Sequence, residues 1–403
     1  MQTPYGQLTY CTNIHAGENW QDHFAALKNN IPNVKSKVSP GQEFGIGLRL
    51  SNAASVEIMQ GERLTEFKQW LSNERCYVFT MNGFPYGGFH NTVVKDQVHA
   101  PDWQTEDRIE YTIRLFKILE SLLPPNEEGS ISTSPLSYRH WYLEQEFDGV
   151  FVHTTNNILK VIEHLHNVHR STGKILHMDI EPEPDGLLES GPEFIEWFEK
   201  YLLPLGSRRL KEVFGYSEEE AGDILRRHLR LCYDVCHFAV GYENHREVLD
   251  SLAKKNILVG KIQISAALKS LIPAKSDARA KVFAAFRDFD ESTYLHQVVA
   301  RQESRLKRYP DLADALLDAD NRETKEWRSH FHVPLFVEHY DILESTQEDI
   351  REVLRIHRAK PFTSHLEVET YTWEVLPEEL RVPIGESIIR EIQWVKQFLE
   401  NGK

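Results

Sequence analysis

The chain has 403 residues, 41% hydrophobic and 11% aromatic, with 46 Lys and Arg against 61 Asp and Glu, a formal net charge of -15. That apolar content belongs to a globular protein with a large core and excludes a disordered chain. The acidic balance argues against nucleic-acid binding as a main task, which needs clustered basic surface. Cys11, Cys76, Cys232 and Cys236 form neither a CxxC pair nor a zinc-finger spacing. Neither a signal peptide nor a run of about 18 apolar residues is present. A soluble protein of the reducing cytoplasm, not inserted directly into a membrane, is expected.

Taken in order, residues 7–12 read as a first strand ending at Asn13 and His15, and a helix starts near Trp20. A second strand over 44–50 carries Arg49, with Ser51 and Asn52 placed to cap a helix over 54–72. The third strand, 76–80, runs into Asn82-Gly-Phe-Pro-Tyr-Gly-Gly-Phe-His90, too rich in glycine and aromatics for a mere connector. Ile109, Ile113, Phe116, Leu119 and Leu123 recur at helical spacing over 105–122. A fourth strand (130–135), a helix (155–170) and a fifth strand (174–180) follow. The fifth strand ends in Glu181-Pro-Glu-Pro-Asp185. Helices near 191–203 and 217–228 lead to the sixth strand, 229–237, and a helix over 247–255 to the seventh, 257–264.

Residues 266–345 break this pattern, with β-like pieces at 294–298 and 331–337 and a helix near 308–320. They read as an insertion folded over one end of the sheet. A helix at 346–358, an eighth strand at 364–372 and a closing helix at 385–400 restore it. Eight strand–helix alternations predict a parallel sheet closed into a (β/α)₈ TIM barrel, one α/β domain over 1–403. An open doubly wound sheet is the rival, but no Gly-x-Gly-x-x-Gly follows a strand.

In such a barrel chemistry belongs at the C-terminal strand ends. Those ends carry Asn13, His15, Arg49, Asn82, His90, Glu181, Asp234, His237, Gln263 and Glu369. One strand-end acid is as readily a helix cap or ion-pair partner. Three acids and an amide on strands five to eight suit a divalent ion: Mn, Zn, Mg or Co. Glu367 shares the face of Glu369 and has the alternative of pairing deeper in the barrel. Glu183 and Asp185 are expected to face solvent or cap the next helix, and His164, His166 and His169 to lie at the surface. Alternation points His330 and His332 to one face, so the insertion could lend an imidazole to the mouth. Serine-hydrolase elbows and P-loops are absent.

The strand-end set Glu181, Asp234-x-x-His237, Gln263 and Glu369 resembles the xylose-isomerase-like TIM barrels, among them sugar-phosphate isomerases and epimerases. Asn-Gly-Phe-Pro-Tyr-Gly (82–87), Pro-Leu-Ser-Tyr (135–138), Asp-Ile-Glu-Pro-Glu-Pro-Asp (179–185), Cys-Tyr-Asp-Val-Cys-His (232–237), Gly-Lys-Ile-Gln-Ile-Ser (260–265) and Glu-Val-Glu-Thr-Tyr-Thr-Trp (367–373) resemble the EboE family. These are barrel proteins of the bacterial Ebo operon, described as metabolite-traffic proteins. The resemblance implies a metal held by Glu181, Asp234, Gln263 and Glu369, with His332 able to stand in for the histidine that many isomerases carry at Gln263. It implies Glu181 and Glu369 as opposed acid–base groups, and His237 beside the metal as a substrate hydrogen-bonding group. Asn13, His15, Arg49, Asn82, His90 and Lys261 are further substrate-binding candidates. The expected activity is isomerase- or epimerase-like proton transfer on a small oxygenated metabolite, with other Ebo-operon proteins as possible partners. The alternative is a non-catalytic carrier barrel, favoured by Phe84, Tyr86, Phe89, Tyr371 and Trp373 near the mouth. A nuclease of the endonuclease IV type is disfavoured by the charge.

Overall fold

The computed structural model describes residues 1–88, 94–372, 376 and 382–402. Eight parallel strands form the frame: β1 (Gly6–Tyr10), β2 (Phe44–Arg49), β3 (Cys76–Asn82), β4 (Gly129–Thr133), β5 (Leu176–Ile180), β6 (Leu229–Asp234), β7 (Val259–Ile264) and β8 (His365–Val368). Each pairs in parallel with the next from β2 to β8, and β8 pairs with β1. Between β1 and β2 a bridge at Cys11 and Gly47 completes the ring. Thr9 and Thr12 lend it side chains: Thr9 Oγ1 donates to Gly45 O at 2.7 Å, and Arg49 N donates to Thr12 Oγ1 at 2.9 Å.

Strand alternation divides these residues into two sets. Leu8, Tyr10, Ile46, Leu48, Ile131, Met178, Ile180, Leu231, Tyr233, Ile262, Ile264, Leu366 and Val368 are buried in the apolar core shared with the helices. The alternate set, equally buried, is polar: Thr9, Thr80, Ser130, Asp179, Cys232, Asp234, Lys261, Gln263 and Glu367. Barrels of this kind usually fill their interior with branched apolar side chains. Here the interior is held by hydrogen bonds instead, such as Thr80 to Ser130 at 2.6 Å and Lys261 Nζ to Glu367 Oε2 at 2.5 Å.

The residues after β7 form an antiparallel six-stranded sheet, ordered Leu306–Tyr309, Val298–Arg301, Glu326–Ser329, Leu268–Leu271, Leu343–Ser345, His339–Tyr340. Trp327 packs there against Phe283 and Phe286, with ring centroids 4.7 and 5.5 Å away. The segment 331–337 is not a strand. It leaves the sheet and docks on the barrel: His332 N donates to Thr372 Oγ1, and Thr372 Oγ1 donates back to His332 O at 2.8 Å. The expected helix over 54–72 is two, Asn52–Ile58 and Arg63–Asn73, parted at Gly61 with φ +57°. His166, expected at the surface, is buried and lies 3.0 Å from the Tyr216 hydroxyl. Among the described residues no helix is long and apolar enough to cross a membrane.

Candidate functional site

Glu181 and Glu369 follow directly on the ends of β5 and β8, and Asp234 ends β6. Their carboxylates bring one oxygen each within 4.8 Å of one another, all buried. Gln263, one residue before the end of β7, sets Nε2 among them. That nitrogen donates to Glu181 Oε1 at 3.0 Å, to Asp234 Oδ2 at 3.3 Å and to Glu369 Oε2. An amide carries two protons, so three carboxylate acceptors exceed what Gln263 can satisfy at once. The sequence reading gave Gln263 as an oxygen ligand, but its Oε1 turns away and accepts from the Cys232 thiol. The reason is electrostatic: a donor edge is the stable one to present to three carboxylates.

The two acid–base candidates are held differently. Glu369 Oε1 accepts from Asn13 Nδ2 and Asn82 Nδ2, both at 2.7 Å, beside the Gln263 bond. Glu181 has only the Gln263 amide, and its Oε2 has no hydrogen-bond partner among the described residues. Burial, then the neighbouring carboxylates, pushes both groups well above the ordinary carboxylate range. Asp234 is tied down by Ser265 Oγ at 2.6 Å and caps a short helix, Val235–Val240, by accepting from His237 N at 3.2 Å. Residues 235–237 are therefore helical rather than the end of the strand, and this turn swings His237 over the mouth.

Above the carboxylates lies a cavity. Asn13, Asn82, Lys95, Glu181, Glu183, His237, Gln297, His330, His332 and Glu369 form its polar part, and Phe84, Pro85, Val94, Val98, Tyr294, Leu295 and Tyr371 its apolar part. The insertion supplies His330 and His332, and burial holds the His332 imidazole down at about 4. His332 Nδ1 lies 3.5 Å from Glu369 Oε2 and its Nε2 3.9 Å from Asp234 Oδ2.

Three of the substrate-binding candidates lie away from the cavity lining. Lys261 lies one layer below, buried against Glu367 and Met81 O, because an unpaired ammonium there would be too costly. Arg49 is spent on Glu18 and on Gly87 O. His15 turns to the Tyr10 hydroxyl at 2.9 Å and does not line the cavity. His90, Phe89 and Trp373 lie outside the described residues. Glu183 and Asp185, expected to face solvent or cap the next helix, are buried, and Ser190 is the cap. Glu183 lines the cavity, 2.8 Å from His99 Nε2. The alternating Glu-Pro-Glu-Pro run held the signal, since residues two apart on an extended segment share a face.

No protein-family model matches the sequence, and no curated protein matches it either. Solved structures do. A xylose isomerase-like TIM barrel protein from Mycobacterium smegmatis in complex with magnesium is 10% identical, with 99% of this chain and 98% of that chain covered, at a TM-score of 0.51. A xylose isomerase domain protein from Planctomyces limnophilus is 12% identical over 98% and 95% of the two chains, with a TM-score of 0.47. A probable 3-DHS dehydratase from Bacillus anthracis is 12% identical over 98% and 100%, with a TM-score of 0.45. At these identities the likeness concerns architecture. With the eight-stranded ring already described, it establishes that the chain has the fold of the xylose isomerase-like TIM barrels.

Proposed function

We propose that the protein is a divalent-metal-dependent enzyme that moves a proton on a small oxygenated metabolite, in the manner of sugar isomerases and epimerases. One observation carries the reading: Glu181, Asp234 and Glu369 crowd together in a buried mouth, where a neutral amide is the only side chain among the described residues that donates to all three. Three such carboxylates call for a cation, because buried charge without compensation is strongly unfavourable. The unpartnered Glu181 Oε2 fits that demand. Glu181, Asp234 and Glu369 would hold the ion, with His332 or a turned Gln263 amide beside them. When bound, it would supply Lewis-acid polarisation of substrate oxygens.

The chain's own residues divide the proton work. Glu369, with three amide donors, is the better stabilised carboxylate and is the base that takes a proton from substrate carbon. Glu181, with one donor, is the opposed group that returns a proton to carbon, taking it up during turnover, since a carboxylate that holds the ion is deprotonated at rest. Asn13, Asn82 and His237 hold the oxygenated end, and Phe84, Tyr294 and Tyr371 exclude water from the other.

The finer assignment rests on the segments that resemble the EboE family. It makes the protein a cytoplasmic metabolite-traffic barrel, with a small metabolite and other Ebo-operon proteins as partners, and without nucleic acid or direct membrane insertion. A second reading, a non-catalytic carrier, is favoured by the Gln263 amide, which already offers the carboxylates a donor in place of a metal. The test is metal analysis of protein purified without added ions, followed by incubation in D₂O with aldoses, ketoses and polyhydroxylated cyclic ketones. Bound divalent ion and deuterium uptake at carbon, abolished in Glu181→Gln and Glu369→Gln, is expected. A protein that takes up no ion even on titration overturns the metal reading. A ligand that copurifies unconverted favours the carrier.

A further inference from the structure

Beside the carboxylates, three imidazoles face one another in a way that fixes their protons. His237 Nδ1 lies 3.0 Å from Pro182 O, and His332 Nδ1 lies 3.2 Å from Glu369 O. His330 Nδ1 lies 2.6 Å from Gln297 Oε1, and that amide is oriented by its own Nε2, which donates to Pro184 O at 2.9 Å. Each Nδ1 thus meets an oxygen that can only accept, so each Nδ1 carries the hydrogen and each Nε2 of the neutral ring is a bare lone pair. Those lone pairs meet in two contacts at His330: His237 Nε2 and His330 Nε2 are 3.1 Å apart, and His330 Nε2 and His332 Nε2 are 3.2 Å apart.

Neutral rings in this tautomer cannot hydrogen-bond to one another, so the contacts are repulsive unless a cation lies between them. A single proton could bridge only one of these two contacts and would leave the other repulsive. A metal ion suits the geometry. Tetrahedral Zn–N bonds of about 2.0–2.1 Å place neighbouring donor nitrogens roughly 3.3 Å apart. An Nδ1–H fixed on a carbonyl is the usual support of a ligating histidine.

We propose that His237, His330 and His332 bind a divalent transition-metal ion of the zinc type, distinct from the ion proposed for the carboxylates. Asp234 stands between the two sites, its Oδ1 3.9 Å from His237 Nε2 and its Oδ2 3.9 Å from His332 Nε2. Glu183 Oε2, 4.0 Å from His237 Nε2, is the other oxygen available to complete the shell. Donor softness separates the sites: imidazoles select Zn²⁺ or Co²⁺, whereas a carboxylate cluster also accepts Mg²⁺ and Mn²⁺. Because two of the three imidazoles come from the insertion, the ion would also clamp the insertion to the barrel.

The inference shares His237 and His332 with the proposed activity but leaves out Glu181 and Glu369, so the two can fail separately. Chelator-stripped full-length protein is titrated with Zn²⁺, and the bound zinc is examined by X-ray absorption. A shell of three imidazoles is expected. His330→Asn should weaken that zinc by more than about 100-fold, and Gln297→Leu, which removes only the outer support, by about 10- to 100-fold. Glu181→Gln should leave it in place. Zinc without an imidazole shell in the unmutated protein overturns the proposal, whatever the variants do, as does wild-type affinity in a folded His330→Asn. Mn²⁺ on the carboxylates with no zinc on the imidazoles overturns this inference alone. Zinc on the imidazoles with no ion on the carboxylates overturns only the metal reading of the proposed activity.

Discussion

Gln263 Nε2 stands 3.0 Å from Glu181 Oε1 and is shared with Asp234 and Glu369, so one neutral amide serves three buried acids. Without metal, Gln263→Leu should destabilise the protein by about 1.5–3 kcal/mol, the range for a hydrogen bond to a charged group. Urea unfolding of chelated protein measures the loss. Saturating Mn²⁺ should narrow the gap between variant and wild type, because a bound cation replaces the amide's role. Gln263→His should raise Zn²⁺ affinity, read by competition with a chelator.

Lys261 and Glu367 form an ion pair fully buried in the barrel interior, at 2.5 Å. Lys261→Met strands the Glu367 carboxylate and should cost about 3–5 kcal/mol. The double variant with Glu367→Leu should recover much of that loss, since no charge is then left unpaired. A double-mutant cycle on unfolding free energies decides it; equal losses in the single and double variants would show that Lys261 acts through packing alone.

Glu391 on the closing helix, Ile384–Asn401, is buried, accepts from Thr370 Oγ1 at 2.7 Å and Leu335 N at 3.2 Å, and is raised by burial to about 7. The folded state therefore binds this proton more tightly than the unfolded chain does. Its contribution is fully present below the unfolded value, near 4.5, and is lost as pH rises through 7. Glu391→Gln should remove about 3 kcal/mol of pH-dependent change between pH 4.5 and 7. Unfolding curves of both proteins across that interval measure the difference in slope.

Gly47 is required by close approach rather than by backbone angle. A Cβ there would fall 1.9 Å from Glu367 Oε1 and 2.7 Å from Tyr10 O. Gly47→Ala must displace either the buried ion pair or the β1 backbone, and should cost about 1–3 kcal/mol, as overpacked cores do. Thermal unfolding checks it, with the exposed turn variant Gly61→Asn as control, since that position has open space around it.

The strand ends were legible in the sequence because a strand has a period of two and a fixed direction. Once 174–180 and 229–237 read as buried strands, Glu181 and Asp234 fell at or near their mouths, and Glu369 followed from the eighth strand, 364–372, by the same rule. Distance could not be read this way. That Lys261 would sink to Glu367 while Gln263, two residues on, would meet three carboxylates depends on how the rings of side chains stack inside the closed barrel. Gln297 joined the site only through tertiary contacts, and such contacts also decided that Glu183 and His330 reach it: the insertion aims 330–332 at the mouth, and the Pro182 and Pro184 carbonyls orient His237 and Gln297. Local periodicity determined which residues face inward; only the packing of an insertion drawn from far along the chain decided which of them meet.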